Sequence, residues 1–224
     1  MNAVTQIPRH PARFTGALVP VMARHLAGKK HILDPFAGVG GCYALAAHLP
    51  GALIVGVEIE PEWAAADTRT VCGDSLKLVE LFGTERFDGV CTSPTYGNRM
   101  ADHHEARDAS RRNTYRHALG RQLNPANSGA MQWGDAYRAF HLAVWAQVYA
   151  VLQPGGVFVL NVKDHYRRGE LQPVAAWHIE AARACGFTLV AHDLVPCPGL
   201  RFGANGRLRV DNENVIVFAK CETP

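Results

Sequence analysis

The 224-residue chain has no C-x-x-C pair, no G-x-x-x-x-G-K-[ST] loop and no apolar run near the length of a membrane span. The missing phosphate loop excludes a P-loop nucleotidase. The six cysteines (Cys42, Cys72, Cys91, Cys185, Cys197, Cys221) are scattered. That pattern argues against a disulfide frame or a structural zinc, and for reduced thiols in a cytoplasmic setting. The N-terminus lacks the apolar core of a signal peptide, so secretion is not expected. Neither an internal repeat nor a low-complexity tract is found. Aromatic residues are few, at 8%, and charged residues make up 19% against 48% apolar, an ordinary balance for a soluble globular protein. The length suits one domain over residues 1–224, with room for a full sheet and its helices. A net charge of +3 permits a nucleic-acid partner without requiring one, so local charge must decide.

What is present centres on Asp34-Pro35-Phe36-Ala37-Gly38-Val39-Gly40-Gly41. A short apolar run, His31-Ile32-Leu33, precedes it, and a helix-like run from Gly41 to Leu49 follows. Strand, glycine turn and helix start together predict a cofactor cradle in an open α/β sheet. Gly38 and Gly40 can take positive φ, and without Cβ atoms they let a ligand approach the backbone. The helix start would aim free N–H groups at that ligand. Asp34 stands before the glycines. A pyrophosphate would not need a carboxylate there, but an ammonium group would. This favours S-adenosylmethionine over NAD or ATP.

Further strands follow. Leu53-Ile54-Val55-Gly56-Val57 is too short for a helix and reads as a buried parallel strand ending at Glu58. An acid about 20 residues past the glycine turn suits the two hydroxyls of a ribose. Glu60 and Glu62 are alternatives for this role, but Pro61 begins a helix, so both are expected to face solvent. Thr70-Val71-Cys72 is a third strand, after which Asp74 or Ser75 caps a helix over 76–81. Phe87 to Thr92 is a fourth strand. It runs into Ser93-Pro94-Thr95-Tyr96-Gly97, beyond the carboxyl end of the strand that flanks the topological switch point.

These two stretches carry a resemblance. Asp-Pro-Phe-Ala-Gly-x-Gly-Gly resembles the first motif of class I S-adenosylmethionine-dependent methyltransferases, in the form found in amino-methylating nucleic-acid enzymes. Ser93-Pro94-Thr95-Tyr96 resembles the Ser-Pro-Pro-Tyr of cytosine-N4 DNA methyltransferases, with Thr95 in place of the second proline. Adenine-N6 enzymes more often begin this motif with Asp or Asn. His10-Pro11-Ala12-Arg13-Phe14-Thr15 resembles the segment such enzymes place against the methionine end of the cofactor, which points to Phe14 and Thr15. The resemblance assigns the exocyclic amine of the adenine to Asp74. Asn212-Glu213-Asn214, followed by an apolar strand and Lys220, resembles the carboxyl end of the same group. The implied fold is a Rossmann-like α/β domain with a seven-stranded mixed sheet and helices on both faces. The implied cofactor is S-adenosyl-L-methionine and the implied partner is DNA, with RNA as an alternative.

The chemistry that fits is methylation of an exocyclic base amine, whose lone pair is delocalised into the ring. Acceptors that take hydrogen bonds from the NH2 pull the nitrogen toward a pyramidal geometry. Ser93 supplies a side-chain oxygen, and Pro94 a carbonyl with no N–H. Tyr96 gives a flat face for a base turned out of its stack. Cys91 lies inside the strand rather than in the loop, which counts against carbon-5 chemistry.

Residues 97–133 lack a regular apolar pattern. They hold six arginines (Arg99, Arg107, Arg111, Arg112, Arg116, Arg121) against Asp102, Glu105 and Asp108, a local excess equal to the charge of the whole chain. With Tyr115 and Trp133 among them, they suit a surface that tracks phosphates and contacts bases. Arg99, Arg111, Arg112 and Arg116 are the leading contacts. His103-His104-Glu105 offers no third ligand at a helical interval, so no metal is expected. An amphipathic helix is predicted from Ala136 to Leu152, with Phe140, Val144, Trp145, Val148 and Leu152 along one stripe. Pro154-Gly155-Gly156 should end it and lead into a strand from Val157 to Val162. Lys163 and Arg167 follow on the ligand side as candidate phosphate contacts. A helix over 170–185, a strand over 187–195, a basic glycine-rich stretch over 196–209 and a last strand from Asn214 to Ala219 complete the reading.

Overall fold

A computed structural model describes residues 7, 10, 15–97, 115–198 and 208–222. Phe14, Arg99, Arg111 and Arg112 lie outside the described residues. Helix α1 (Leu18–His25) buries Leu18, Val19, Met22 and Ala23, and Leu26 continues that face. The Thr15 carbonyl accepts the Leu18 N–H at 2.9 Å just before the helix.

Strand β1 (His31–Asp34) leads into a 3-10 helix at Gly41–Ala47, where an α-helix was expected. The next elements are β2 (Leu53–Glu58), α2 (Pro61–Ala64), β3 (Thr70–Cys72), α3 (Leu78–Phe82) and β4 (Phe87–Thr92). Then come α4 (Tyr115–Leu119), α5 (Asp135–Val151) and β5 (Leu152–Val162). Helix α5 passes straight into β5, which includes Pro154-Gly155-Gly156. The buried Lys220 ammonium donates to the Tyr149 and Leu152 carbonyls at 3.0 and 2.7 Å, satisfying orphan acceptors at the helix end.

A hairpin of β6 (His165–Arg167) and β7 (Glu170–Gln172) replaces the start of the helix expected over 170–185. Arg168 and Gly169 form its tip with φ of +53° and +84°, as a two-residue hairpin turn needs. Pro173 holds Gln172 extended, so helix α6 (Val174–Ala184) begins only after it. Strands β8 (Thr188–Pro196) and β9 (Asn212–Ala219) end the chain.

The sheet order is β3-β2-β1-β4-β5-β9-β8. The first five strands are parallel, and β9 runs antiparallel to both β5 and β8. Alternate side chains go to opposite faces. Leu33, Val57, Val90, Phe158 and Leu160 pack with α3, α5 and α6. Ile32, Ile54, Cys91 and Val159 pack with α1 and the 3-10 helix. The expected Rossmann-like fold, a seven-stranded mixed sheet with helices on both faces, is therefore present. Its switch point lies between β1 and β4, and their carboxyl ends open onto one cavity.

Candidate functional site

The cavity has a volume of about 800 Å³. Thr15, Asp34, Phe36, Gly38, Gly40, Glu58 and Asp74 line it from one side, and Ser93, Pro94, Thr95 and Tyr96 from the other. All described members of the two predicted groups thus meet in one space. Among the described residues no helix is long and apolar enough to cross a membrane. No group of three or more potential metal ligands occurs among them either.

Asp34 ends β1 and is buried. Its Oδ1 accepts from the Phe36 N–H at 2.9 Å and from the Thr92 hydroxyl at 2.6 Å. Burial pushes its carboxyl up to about 6, against the pull of those bonds. Glu58 ends β2. Its Oε2 accepts from Gly38 N–H at 3.0 Å and its Oε1 from Glu60 N–H at 2.8 Å. Burial pushes Glu58 up to about 7. Asp74 accepts the Leu76 N–H and caps the turn at Ser75–Lys77, while Ser75 Oγ donates to the Pro35 carbonyl.

The glycines work differently from expectation. Gly38 and Gly40 take φ of +54° and +87°, so the backbone requires them. A Cβ on Gly38 would meet the His10 ring at 3.1 Å, and one on Gly40 would meet the Tyr43 ring at 2.3 Å. The space left by the missing side chains is filled by the protein's own rings. The Gly38 N–H already serves Glu58, and the Gly40 N–H donates to the Ala37 carbonyl at 2.8 Å. Two donors of the turn are thus engaged within the protein.

Glu60 is fully buried, contrary to the reading that placed it in solvent. It pairs with Arg121 at 2.7 Å and accepts from Asn124 N–H and Asn127 Nδ2, each at 2.8 Å. Glu62 shares the same guanidinium. Arg121 is therefore a structural cation that fastens the stretch before α5 to α2. Trp133 is buried as well, and its main-chain N–H donates to the Gly97 carbonyl at 2.9 Å. Tyr115 is buried against Trp63 and His10. Arg116 remains exposed. Lys163 Nζ donates to the Cys197 carbonyl at 3.0 Å, and Arg167 to the Trp133 carbonyl at 2.8 Å. Neither lines the cavity.

The Ser93–Tyr96 loop is held by groups with no local motif. Asn161, at the end of β5, and Glu213, at the start of β9, are both buried and line the cavity. Asn161 Nδ2 lies 2.8 Å from Glu213 Oε2, 2.9 Å from the Tyr96 oxygen and 3.1 Å from Ser93 Oγ. Three acceptors around one nitrogen fix the amide orientation. Ser93 Oγ and the Tyr96 hydroxyl are 2.9 Å apart, and Tyr96 donates to Glu213 at 3.2 Å. The Tyr96 hydroxyl is thus engaged in this network, not simply presented beside a flat ring. Burial, then the Glu213 charge, raises the Tyr96 phenol well above its usual range.

Behind the loop, Tyr137 donates to the Thr95 carbonyl at 2.7 Å and meets His178 Nε2 at 3.1 Å. Trp145 Nε1–H donates to His178 Nδ1 at 3.0 Å. Indole is only a donor, so His178 is the neutral Nε2–H tautomer and donates a hydrogen bond to the Tyr137 oxygen. Burial holds the His178 ring well below its usual range, which agrees. None of the hydrogen bonds found among the described residues engages the Pro94 carbonyl.

A polar residue inside an apolar strand run was the available signal for Asn161. No comparable signal marked Tyr137, His178 or Thr92.

No protein-family model matches the chain, and no curated protein matches it. Solved structures do. TrmN from Thermus thermophilus is 15% identical with a TM-score of 0.54, over 91% of this chain and 48% of that one. This chain therefore spans about half the length of that protein. A 1,6-didemethyltoxoflavin-N1-methyltransferase from Burkholderia thailandensis, with bound S-adenosylhomocysteine, is 21% identical with a TM-score of 0.52. The match covers 92% of this chain and 79% of that one. The [4+2]-cyclase SpnF is 15% identical with a TM-score of 0.60, over 92% of this chain and 81% of that one. These likenesses agree on the Rossmann-like methyltransferase fold. An N-methyltransferase and a cyclase share it, so the reaction must be argued from the site.

Proposed function

We propose that the protein transfers a methyl group from S-adenosyl-L-methionine to an exocyclic amine of a base in DNA, cytosine N4 first. The observation that carries this reading is that the Asp34–Gly40 turn and the Ser93–Tyr96 loop line one cavity. Its volume of about 800 Å³ suits a nucleoside-sized ligand beside a base.

The residues present fit the cofactor. Three carboxylates, Asp34, Glu58 and Asp74, line one side of the cavity. Asp34 and Glu58 are buried and raised, and a cation would relieve Asp34. Asp34 meets the ammonium group, Glu58 the ribose hydroxyls and Asp74 the adenine amine. Thr15 closes the methionine end, with Phe14 beside it in sequence, and Phe36 packs nearby. The bound cofactor supplies an electrophilic methyl group on a sulfonium that leaves as a neutral thioether.

The chain's own residues prepare the nucleophile. Ser93 Oγ and the Pro94 carbonyl accept from the target NH2, draw its hydrogens out of the ring plane and free the lone pair. Tyr137 takes up the neighbouring Thr95 carbonyl and so keeps the loop in one conformation. Thr95, in place of proline, ties its hydroxyl to Ser128 at 3.2 Å, a contact that supports a loop lacking the second ring. Tyr96 packs its ring beside the base. The base enters flipped or single-stranded, because a paired amine cannot reach the cavity. Exposed Arg116 and the arginines at 99, 111 and 112 form the polynucleotide contact, with Lys163 and Arg167 at its margin. The reading treats residues 1–224 as one methyltransferase domain with its target-recognition segment near 97–133, in a cytoplasmic setting that keeps its cysteines reduced.

The test is methyl transfer from labelled cofactor to DNA and, separately, to RNA, with the products identified as nucleosides. Methyladenine from DNA, or a methylated RNA base, would keep the chemistry and change the substrate.

A further inference from the structure

On the reading just given, the nitrogen that receives the methyl group becomes cationic and must lose a proton. The cavity wall contains a path for it. Ser93 Oγ is 2.9 Å from the Tyr96 hydroxyl, which donates to Glu213 Oε2 at 3.2 Å. The two Nδ2–H groups of Asn161 are shared among these three oxygens and hold them together. Among the described residues, Glu213 is the one carboxylate hydrogen-bonded to this loop. Asp34 and Glu58 are engaged at the glycine turn instead.

We infer that Glu213 is the terminal proton acceptor of the transfer, reached through Ser93 and Tyr96. The amine N–H bond breaks and its electron pair returns to nitrogen. The released proton bonds to Ser93 Oγ as the serine's own proton passes to the Tyr96 oxygen. The Tyr96 proton moves to Glu213 Oε2. The chain ends with a neutral methylated amine, an unchanged serine and phenol, and a protonated carboxyl. Tyr96 never becomes an anion, in keeping with a phenol that burial and the Glu213 charge both hold in its protonated form.

Position in the fold explains why this acid serves. Asn161 pairs with Val215 in the antiparallel register of β5 and β9, which brings Glu213 to the carboxyl end of the parallel strands. Among the described residues, Glu213 faces the Tyr96 phenol from the loop after β4, the Asn161 amide from β5 and the Cys197 thiol just after β8. The Lys163 ammonium lies beyond, held on the Cys197 carbonyl.

The experiment has two arms on the full-length protein. In the free protein, infrared difference spectra between wild type and Glu213→Gln should contain a buried carboxylate band that is displaced in Tyr96→Phe. In single turnovers on DNA, Glu213→Gln should lower the rate by roughly 100-fold or more, with cofactor affinity unchanged. It should also lose the solvent deuterium isotope effect that wild type shows. Glu213→Gln turning over within about threefold of wild type, with the same isotope effect, would overturn the inference and leave the methyl-transfer reading standing. So would a free protein with no carboxylate band linked to Tyr96. A linked band without transfer to any polynucleotide would support the proton coupling and sink the substrate reading instead.

Discussion

Thr92 donates its hydroxyl proton to the Asp34 carboxylate at 2.6 Å, tying the last residue of β4 to the last residue of β1. The bond joins the strand that leads to the glycine turn with the strand that leads to the Ser93 loop. The distance between the two halves of the cavity is thereby set inside the sheet, where both partners are buried.

Asp34 is held at a cost to the fold. Its carboxyl is pushed up to about 6, roughly two units above an exposed aspartate, worth about 3 kcal/mol of penalty on the charged form at neutral pH. Asp34→Asn keeps the shape and an acceptor for Thr92 while removing the charge. The ligand-free protein should gain about 1–3 kcal/mol in denaturant melts, and cofactor affinity by calorimetry should fall roughly tenfold or more. A variant that binds cofactor normally would show that Asp34 meets no cation.

The pH dependence follows from Asp34 at about 6 and Glu58 at about 7. Both hold protons more tightly in the folded chain than in the unfolded one. Their contribution to stability therefore grows as pH falls from neutral toward about 4 and declines as pH rises through 6 and 7. Cation binding favours the ionised form of Asp34 and must expel its proton. Calorimetry near pH 6, in buffers of different ionisation enthalpy, should detect proton release on cofactor binding. Binding with no proton release would contradict the placement of the cation beside Asp34.

Much of this was legible in the sequence where the signal is local. Short apolar runs announced the parallel strands, because a strand buried on both faces cannot alternate. The Asp34–Gly40 and Ser93–Tyr96 stretches each carry their meaning within a few residues. Asn161 and Glu213 were not found because they meet across 52 positions through an antiparallel register. Glu60 was misplaced for a related reason. Its burial depends on Arg121, Asn124 and Asn127, far along the chain. Gly38 and Gly40 were recognised as turn glycines, but not the rings of His10 and Tyr43 that fill the space beside them.

Tyr137 supports the loop through one bond to the Thr95 carbonyl. Tyr137→Phe leaves that carbonyl and His178 Nε2–H without their partner inside a packed core. A loss of about 1–3 kcal/mol in stability is expected. The turnover rate should fall while cofactor affinity holds, since the bond that Tyr137 gives goes to the Ser93–Tyr96 loop. Equal losses in both would mean that the loop and the cofactor side are not independent.

Two arginines of the 97–133 segment should behave differently. Arg121→Ala strips Glu60 of its cation inside the fold and should cost about 2–4 kcal/mol, with the low end favoured because the guanidinium is partly in water. Arg116→Ala, at an exposed site, should leave the melt unchanged, weaken polynucleotide binding and reduce its salt dependence by about one phosphate contact. Melts and salt titrations of both variants check this. A shared phenotype would mean that the segment is not divided into an anchored part and a contact part.

The most direct test of the central claim is the transfer of labelled methyl from S-adenosyl-L-methionine to DNA, followed by digestion and identification of the modified nucleoside by mass. The account predicts N4-methylcytosine, formed by the wild-type protein and lost in Ser93→Ala. Cofactor binding without methyl transfer to any polynucleotide would contradict it.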